Sequence, residues 1–382
     1  MTVTPPDDFL WLPDHQLHIL ATLGHVDDVM VDLTTLLRDH SRREAFALES
    51  VRDGANVEVR IAGIRPIPPI VSRLTADVVN NLRNVLEHAL FAAVEHDLVR
   101  PMTEKEARSI EVSAVKDEPS FDAWLADKRR AGMPPLSVGS PLAEALRSIQ
   151  PFTWTGPKPS PLALLVEHSN ASKHRVPAIA QMQLGQVTPD FLVPGMIVAE
   201  PSGQPAKVGD LIASGPPNIP VGLDIWATAT IRRPLTGGWV TLQTEMSDIE
   251  AWVRTVALPT LLGLTSGQVL PATVDVRQEV DDLRAAAMAA SDEPAAVGNT
   301  VILMAEGVVR PGLLSLLLPE CSSAEERHAV KWWVEEMTDY QVIARHERLT
   351  GLSTSNAAAI DACRQAIKVA VTRARAVDRY EI

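Results

Sequence analysis

Residues 72–96 constrain this chain more than any other stretch. Val79, Leu82, Val85, Leu86, Ala89, Leu90 and Ala93 recur at helical spacing, which predicts one long helix from about Ser72 to His96 with an apolar stripe along it. Arg83, Asn84, Glu87 and His88 lie off that stripe. At about 100° per residue, Arg83 and Glu87 share one flank, and Asn84 and His88 share the other. The helix therefore has a core face and a second face carrying a guanidinium, a carboxylate and an imidazole.

A second helix is predicted over residues 161–174, with Leu162, Leu165, Val166 and Ser169 as its apolar face. Asn170 and Lys173 continue that face at the C-terminal end. A polar group brought into a core must find a partner, because leaving it unpaired costs about 1–3 kcal/mol and more for a charge. Glu87 is the one carboxylate between Asn80 and Phe91. The spacing therefore predicts an ion pair between Glu87 and Lys173, with Arg83, His88, Asn170 and His174 in the same neighbourhood.

Arg83-Asn84-x-x-x-His88 resembles the active-site motif of HEPN-domain ribonucleases, in which an Arg, a polar residue and a His lie on one helix of a small bundle. Leu82-Arg83, Leu86-Glu87-His88, Gln150-Pro151-Phe152, Asn170 and Lys173-His174-Arg175 also resemble, in order, the marks of a bacterial protein family with no settled activity. That family carries a Leu-Arg-x-x-Leu-Asp-His helix, a Gln-Pro-aromatic turn and a helix ending Asn-x-x-Lys-His-Arg. Glu87 stands here in place of its Asp. The resemblance covers roughly residues 15–265.

The HEPN likeness implies metal-independent cleavage of RNA, of a toxin or phage-defence kind, by two copies meeting in a homodimer. Under that reading His88 or His174 is the general base or acid. Arg83 neutralises charge on the phosphate. Asn84, Glu87, Asn170, Lys173 and Arg175 bind, and neither metal nor cofactor is needed. The alternative is a non-catalytic helical binding or scaffold module, whose polar cluster fixes the register of two helices.

Composition narrows the choice. A net charge of −13 argues against a chain that coats nucleic acid, since phosphate contacts need clustered Lys and Arg. Two Cys, with no Cys-x-x-Cys, give neither a disulfide scaffold nor a zinc site, so a reducing cytoplasm is expected. The N-terminus has no apolar core of a signal peptide, and the apolar runs are too short for a membrane span. No Gly-rich phosphate loop and no nucleophile elbow occurs. Glu326-Arg327-His328, Arg345-His346-Glu347-Arg348 and the basic residues around Arg373 read as solvated helix surface.

The rest of the chain sets the fold class. Residues 1–14 read as a mobile arm and Asp14–His40 as a first long helix. Arg52-Asp53-Gly54-Ala55-Asn56 between apolar runs predicts a β-hairpin. A strand near Ile110–Val115, helices over 120–130 and 141–149, and strands at 196–199, 223–232 and 239–244 follow. Residues 247–264 are again helical. The expectation is an α+β domain over 15–265, a helical bundle core with a β-hairpin and an antiparallel β portion. A small all-α domain over 272–382 completes it.

Overall fold

The computed structural model describes residues 9–41, 45–174, 178–189, 194–200, 202–217, 223–265, 268, 270–271, 274–275, 279, 282–290, 309–321, 323–337, 341–343, 345–346, 368–369 and 372. They form an α+β fold with two antiparallel sheets. The chain divides into two compact units. One takes Met1–Leu36, Pro68–Ala180 and Ala229–Asn299, the other Leu37–Ile67, Gln181–Thr228 and Thr300–Ile382.

The first unit is built on the predicted long helix. Pro66, Pro68 and Pro69 keep the preceding chain irregular, because proline lacks an amide hydrogen and fixes φ. Helix α2 (Ile70–Asp97) starts directly after Pro69 and buries Val71, Val78, Val79, Leu82, Val85, Leu86, Ala89 and Leu90. A 3-10 turn at Asp14–Gln16 leads into α1 (His18–Ser41), and the Gln16 side chain donates to the Ala89 carbonyl at 3.0 Å. Three short helices follow α2: α3 (Glu104–Ala107), α4 (Glu118–Leu125) and α5 (Pro141–Ser148). Their N-caps are Thr103, Asp117 and Ser140, each side chain accepting a backbone N–H of the first turn. α6 (Pro161–His174), α7 (Leu242–Trp252) and α8 (Leu258–Leu261) pack on α2.

Three expectations change here. Residues 110–115 form no strand. The segment is held instead by the Gln150 side chain, which accepts the Val115 amide at 2.9 Å. The helix read over 120–130 ends at Leu125, and Arg130 folds back to place its guanidinium 4.0 Å from the centre of the Trp124 ring. Residues 9–14, read as part of a mobile arm, carry the buried Phe9 and Leu12. Arg284 of α9 (Leu283–Ala289) donates to the carbonyls of Phe9 and Leu12 and to Asp14. Residues 1–8 lie outside the described residues.

In the second unit, β1 (Phe46–Asp53) and β2 (Asn56–Ile64) run up to a two-residue turn, where Gly54 takes a φ of 57°. They share a sheet of order β1-β2-β5-β4 with β4 (Ile197–Val198) and β5 (Leu211–Gly215). A second sheet has the order β3-β6-β7; β3 (Gln181–Pro189) and the start of β6 (Leu223–Arg232) belong to this unit, the end of β6 and β7 (Trp239–Thr241) to the first. Ala45, Phe46, Ile61, Met182, Leu184, Ile212 and Ala227 form this unit's β core. Helices Arg310–Leu317 and Ala324–Glu336 pack through Leu313, Leu317, Val330 and Val334. Of the all-α domain expected over 272–382, residues 291–308 and nearly all of 347–382 lie outside the described residues. No helix among the described residues is long and apolar enough to cross a membrane.

A buried ion triad ties α1 to the segment after α7. There a π-helical turn, Val253–Ala257, carries Arg254, which donates to Glu250 and to Asp27, both at 2.5 Å. All three are buried. Arg254→Met is expected to destabilise the fold by about 3–5 kcal/mol in urea titration, because two carboxylates are left without their cation. The triple change Asp27→Asn, Glu250→Gln, Arg254→Met is expected to recover much of that loss.

Candidate functional site

The marked residues of α2 and α6 meet, but not through the pair predicted. Arg83 is 9% exposed. Its Nε donates to Glu87 Oε1 at 2.8 Å, one turn along α2, and its Nη1 donates to Asn170 Oδ1 at 2.7 Å across to α6. Below this contact, Ser169 and Ser172 donate from α6 to Asn80 Oδ1 at 2.9 and 3.2 Å. Together these bonds fix the axial register of the two helices.

Lys173 is exposed and makes no ion pair with Glu87, whose partner is Arg83. The reason is the phase of α6. Its buried residues are Pro161, Leu162, Leu164, Leu165, His168 and Ser169. The core face is thus turned away from Val166 and toward Leu164 and His168. Asn170 and Lys173 then lie at its edge and on the solvent side. His168 can be buried because Glu245 Oε1 lies 3.2 Å from its Nε2, and Arg233 clasps the same carboxylate at 2.8 and 2.6 Å. Sequence reading missed this triad, since a lone His on an apolar face carries no sign of its partner. Burial works to raise the Glu245 carboxyl, but the hydrogen bonds from Arg233 and His168 outweigh it and hold it below its ordinary value.

The remaining candidates disperse. His174 is exposed at the last position of α6, and Asn84 is half-buried. Arg175 lies outside the described residues. His88 is exposed and lies five residues from Arg83, about 140° round the helix. It faces His18 of α1, with ring centres 5.9 Å apart. One end of this contact opens into a groove of about 490 Å³ lined by His15, His18, His88, Phe91, Glu95 and His96. His15 and His96 stack with ring centres 4.0 Å apart and planes 8° from parallel. Burial and neighbouring imidazoles hold His15 and His18 below the ordinary histidine value. Sequence reading passed over His15, His18 and His96; the His88–His96 spacing, about two helical turns, was the available signal.

The chain matches no family model, no curated protein and no solved structure.

Two outcomes test the geometry. Asn170→Ala is expected to cost about 1 kcal/mol in chemical denaturation, through the lost bond to a charged donor. Lys173→Met is expected to stay within about 0.5 kcal/mol, as for an exposed side chain away from special features. The Glu245 carboxyl, held low in the folded state, contributes stability that is complete above its unfolded value and lost as pH falls through its folded value. Arg233→Gln removes the main support for that lowering. The acid-unfolding midpoint, followed by circular dichroism, is then expected to move to higher pH.

Proposed function

We propose that the chain is a non-catalytic helical binding module. In this reading the Arg83 cluster is structural, and the groove on the other flank of α2 takes the ligand. One observation carries it: the Arg83 guanidinium donates to Glu87 on its own helix and to Asn170 across to α6, while His88 projects about 140° away. A phosphodiester held by Arg83 would not meet the His88 imidazole on the same chain. None of the groove's lining residues is Lys or Arg. That counts against a polyanion as its occupant.

The ribonuclease reading, a HEPN-like enzyme acting on cytoplasmic RNA as a homodimer in a toxin or phage-defence setting, retains one supporting observation. His88 is solvent-exposed beside a second imidazole, that of His18, and imidazole is the side chain most often used in general acid–base catalysis. A metal-free RNA cleavage assay decides between the two. The binding-module reading expects purified protein and its His88→Ala variant to be alike at background. Cleavage by the parent, lost in His88→Ala at an unchanged melting temperature, would overturn it in favour of the enzyme.

A further inference from the structure

We propose that the open edge of β1 pairs antiparallel with the same edge of a second copy of this chain, joining two β1-β2-β5-β4 sheets across a twofold axis. The inference does not depend on the groove, whose lining residues belong to other elements.

β1 is an edge strand, since the sheet order places only β2 beside it. Every residue from Ala47 to Asp53 is exposed, and Leu48 and Val51 are each 41% exposed. The two-residue turn makes Asp53 and Asn56 a hydrogen-bonded pair, so Val51 with Glu58 and Glu49 with Arg60 are the next such pairs. The far side of β2 has the matching phase. There Ile61, which stands opposite Leu48, donates to the Asp210 carbonyl at 3.0 Å and accepts the Gly209 amide at 2.8 Å. The backbone groups of Leu48, Ser50 and Arg52 therefore point out from the open edge, and no backbone partner meets them among the described residues. Such a row is a template for another strand, which proteins usually guard with proline, lysine or a bulge. Residues 48–53 contain neither proline nor lysine, and the strand's irregularity lies before them, between Ala47 and Leu48.

The occupant follows from the charges, because the edge is self-complementary in one register. Across a twofold axis, outward-facing residues pair with outward-facing residues, two hydrogen bonds to a pair. With Ser50 opposite Ser50, Leu48 of each copy meets Arg52 of the other, and all three outward residues are used. On the other face Glu49 meets Val51, and no like charges are opposed. Sliding one copy two residues one way sets Glu49 against Glu49. Sliding it the other way sets Glu49 against Asp53. Like charges directly opposite are destabilising, so both slips are disfavoured. Each copy uses its own β1 edge, so assembly closes at two. A seam of one strand pair buries less than the roughly 1,600 Å² of a standard interface, and the dimer is accordingly weak and concentration-dependent.

The test is sedimentation equilibrium of the full chain over about a hundredfold range of concentration. A monomer–dimer equilibrium without larger species is expected. Ser50→Pro removes an outward amide hydrogen and leaves the ladder to β2 intact, so it is expected to be monomeric throughout. Ser50→Lys sets two cations face to face at the axis and is expected to do the same. Mixing it with Ser50→Glu chains is expected to restore the dimer. Oxidising a mixture of Glu49→Cys and Val51→Cys chains reads the register. A crosslink absent from the parent and from either variant alone is expected, since that pair brings Cα atoms to about 4.5 Å. Circular dichroism checks that each variant folds, and the exposed Ser50→Lys change carries the test should proline disturb the hairpin. A parent that stays monomeric, a dimer that persists in the folded Ser50→Lys chain, or a crosslink in Glu49→Cys alone overturns the assignment.

Discussion

The apolar stripe of α2 fixes the rotation of that helix, and the chemistry of its other residues follows from the rotation. Leu82, Leu86 and Leu90 must be buried, and each is fully so. Arg83, one position beyond Leu82, is thereby carried to the buried margin, where its guanidinium cannot be left to water. It finds one acceptor a turn along its own helix and another on α6. His88 follows two positions after Leu86 and is carried outward to solvent. A single phase therefore holds one member of the apparent motif between two helices and presents the other to solvent. Spacing along a helix brings side chains together only when their separation is close to three or four residues. Five residues, as between Arg83 and His88, place them on different flanks.

Much of the fold was legible because its signals are local. Three prolines followed by a regular stripe define α2 to within two residues at its start. Asp53-Gly54 marks the hairpin, and its strands run further than the sequence suggested because Asp53 and Asn56 themselves pair. Strands β3 and β5 were missed, as their sequences lack the β-branched runs that mark β6. The error on α6 has a different cause. Val166 and Leu164 are both apolar and lie on opposite margins of Leu165, so the stripe has two acceptable centres. The choice was made by His168, whose burial depends on Glu245 and Arg233, 77 and 65 positions away. No local pattern contains that information.

The segment after α7 makes the same point through backbone geometry. A regular helix over 247–264 puts Val256 on the apolar side and Arg254 off it. The π-helical turn at Val253–Ala257 takes up an extra residue and so shifts the helical phase. Arg254 is buried as a result, whereas Val256 is 44% exposed. The inserted turn brings the guanidinium between Glu250 and Asp27, so a departure from helical geometry and a buried ion triad stand or fall together. Such a triad is worth little over an apolar core of equal volume. It is nevertheless costly to break from one side, which makes it a strong constraint on how α1 docks.

The electrostatics of the groove separate two ligand classes that an exposed histidine alone does not. Phosphate recognition draws on fixed cations, and the surface around His88 offers none of the lining residues for it. Protonated imidazoles could substitute, but burial, and then the neighbouring His96 and His88, oppose the charged forms of His15 and His18. Asp97 and Asp14 partly offset this at His15 without reversing it. At His15 and His18 the neutral form is favoured, and the carboxylate of Glu95 lines the same groove. A groove lined by imidazoles and a carboxylate, with neither Lys nor Arg, disfavours an anion. The imidazole that suggested a nucleic-acid substrate, His88, thus sits in a groove without a Lys or Arg among its lining residues.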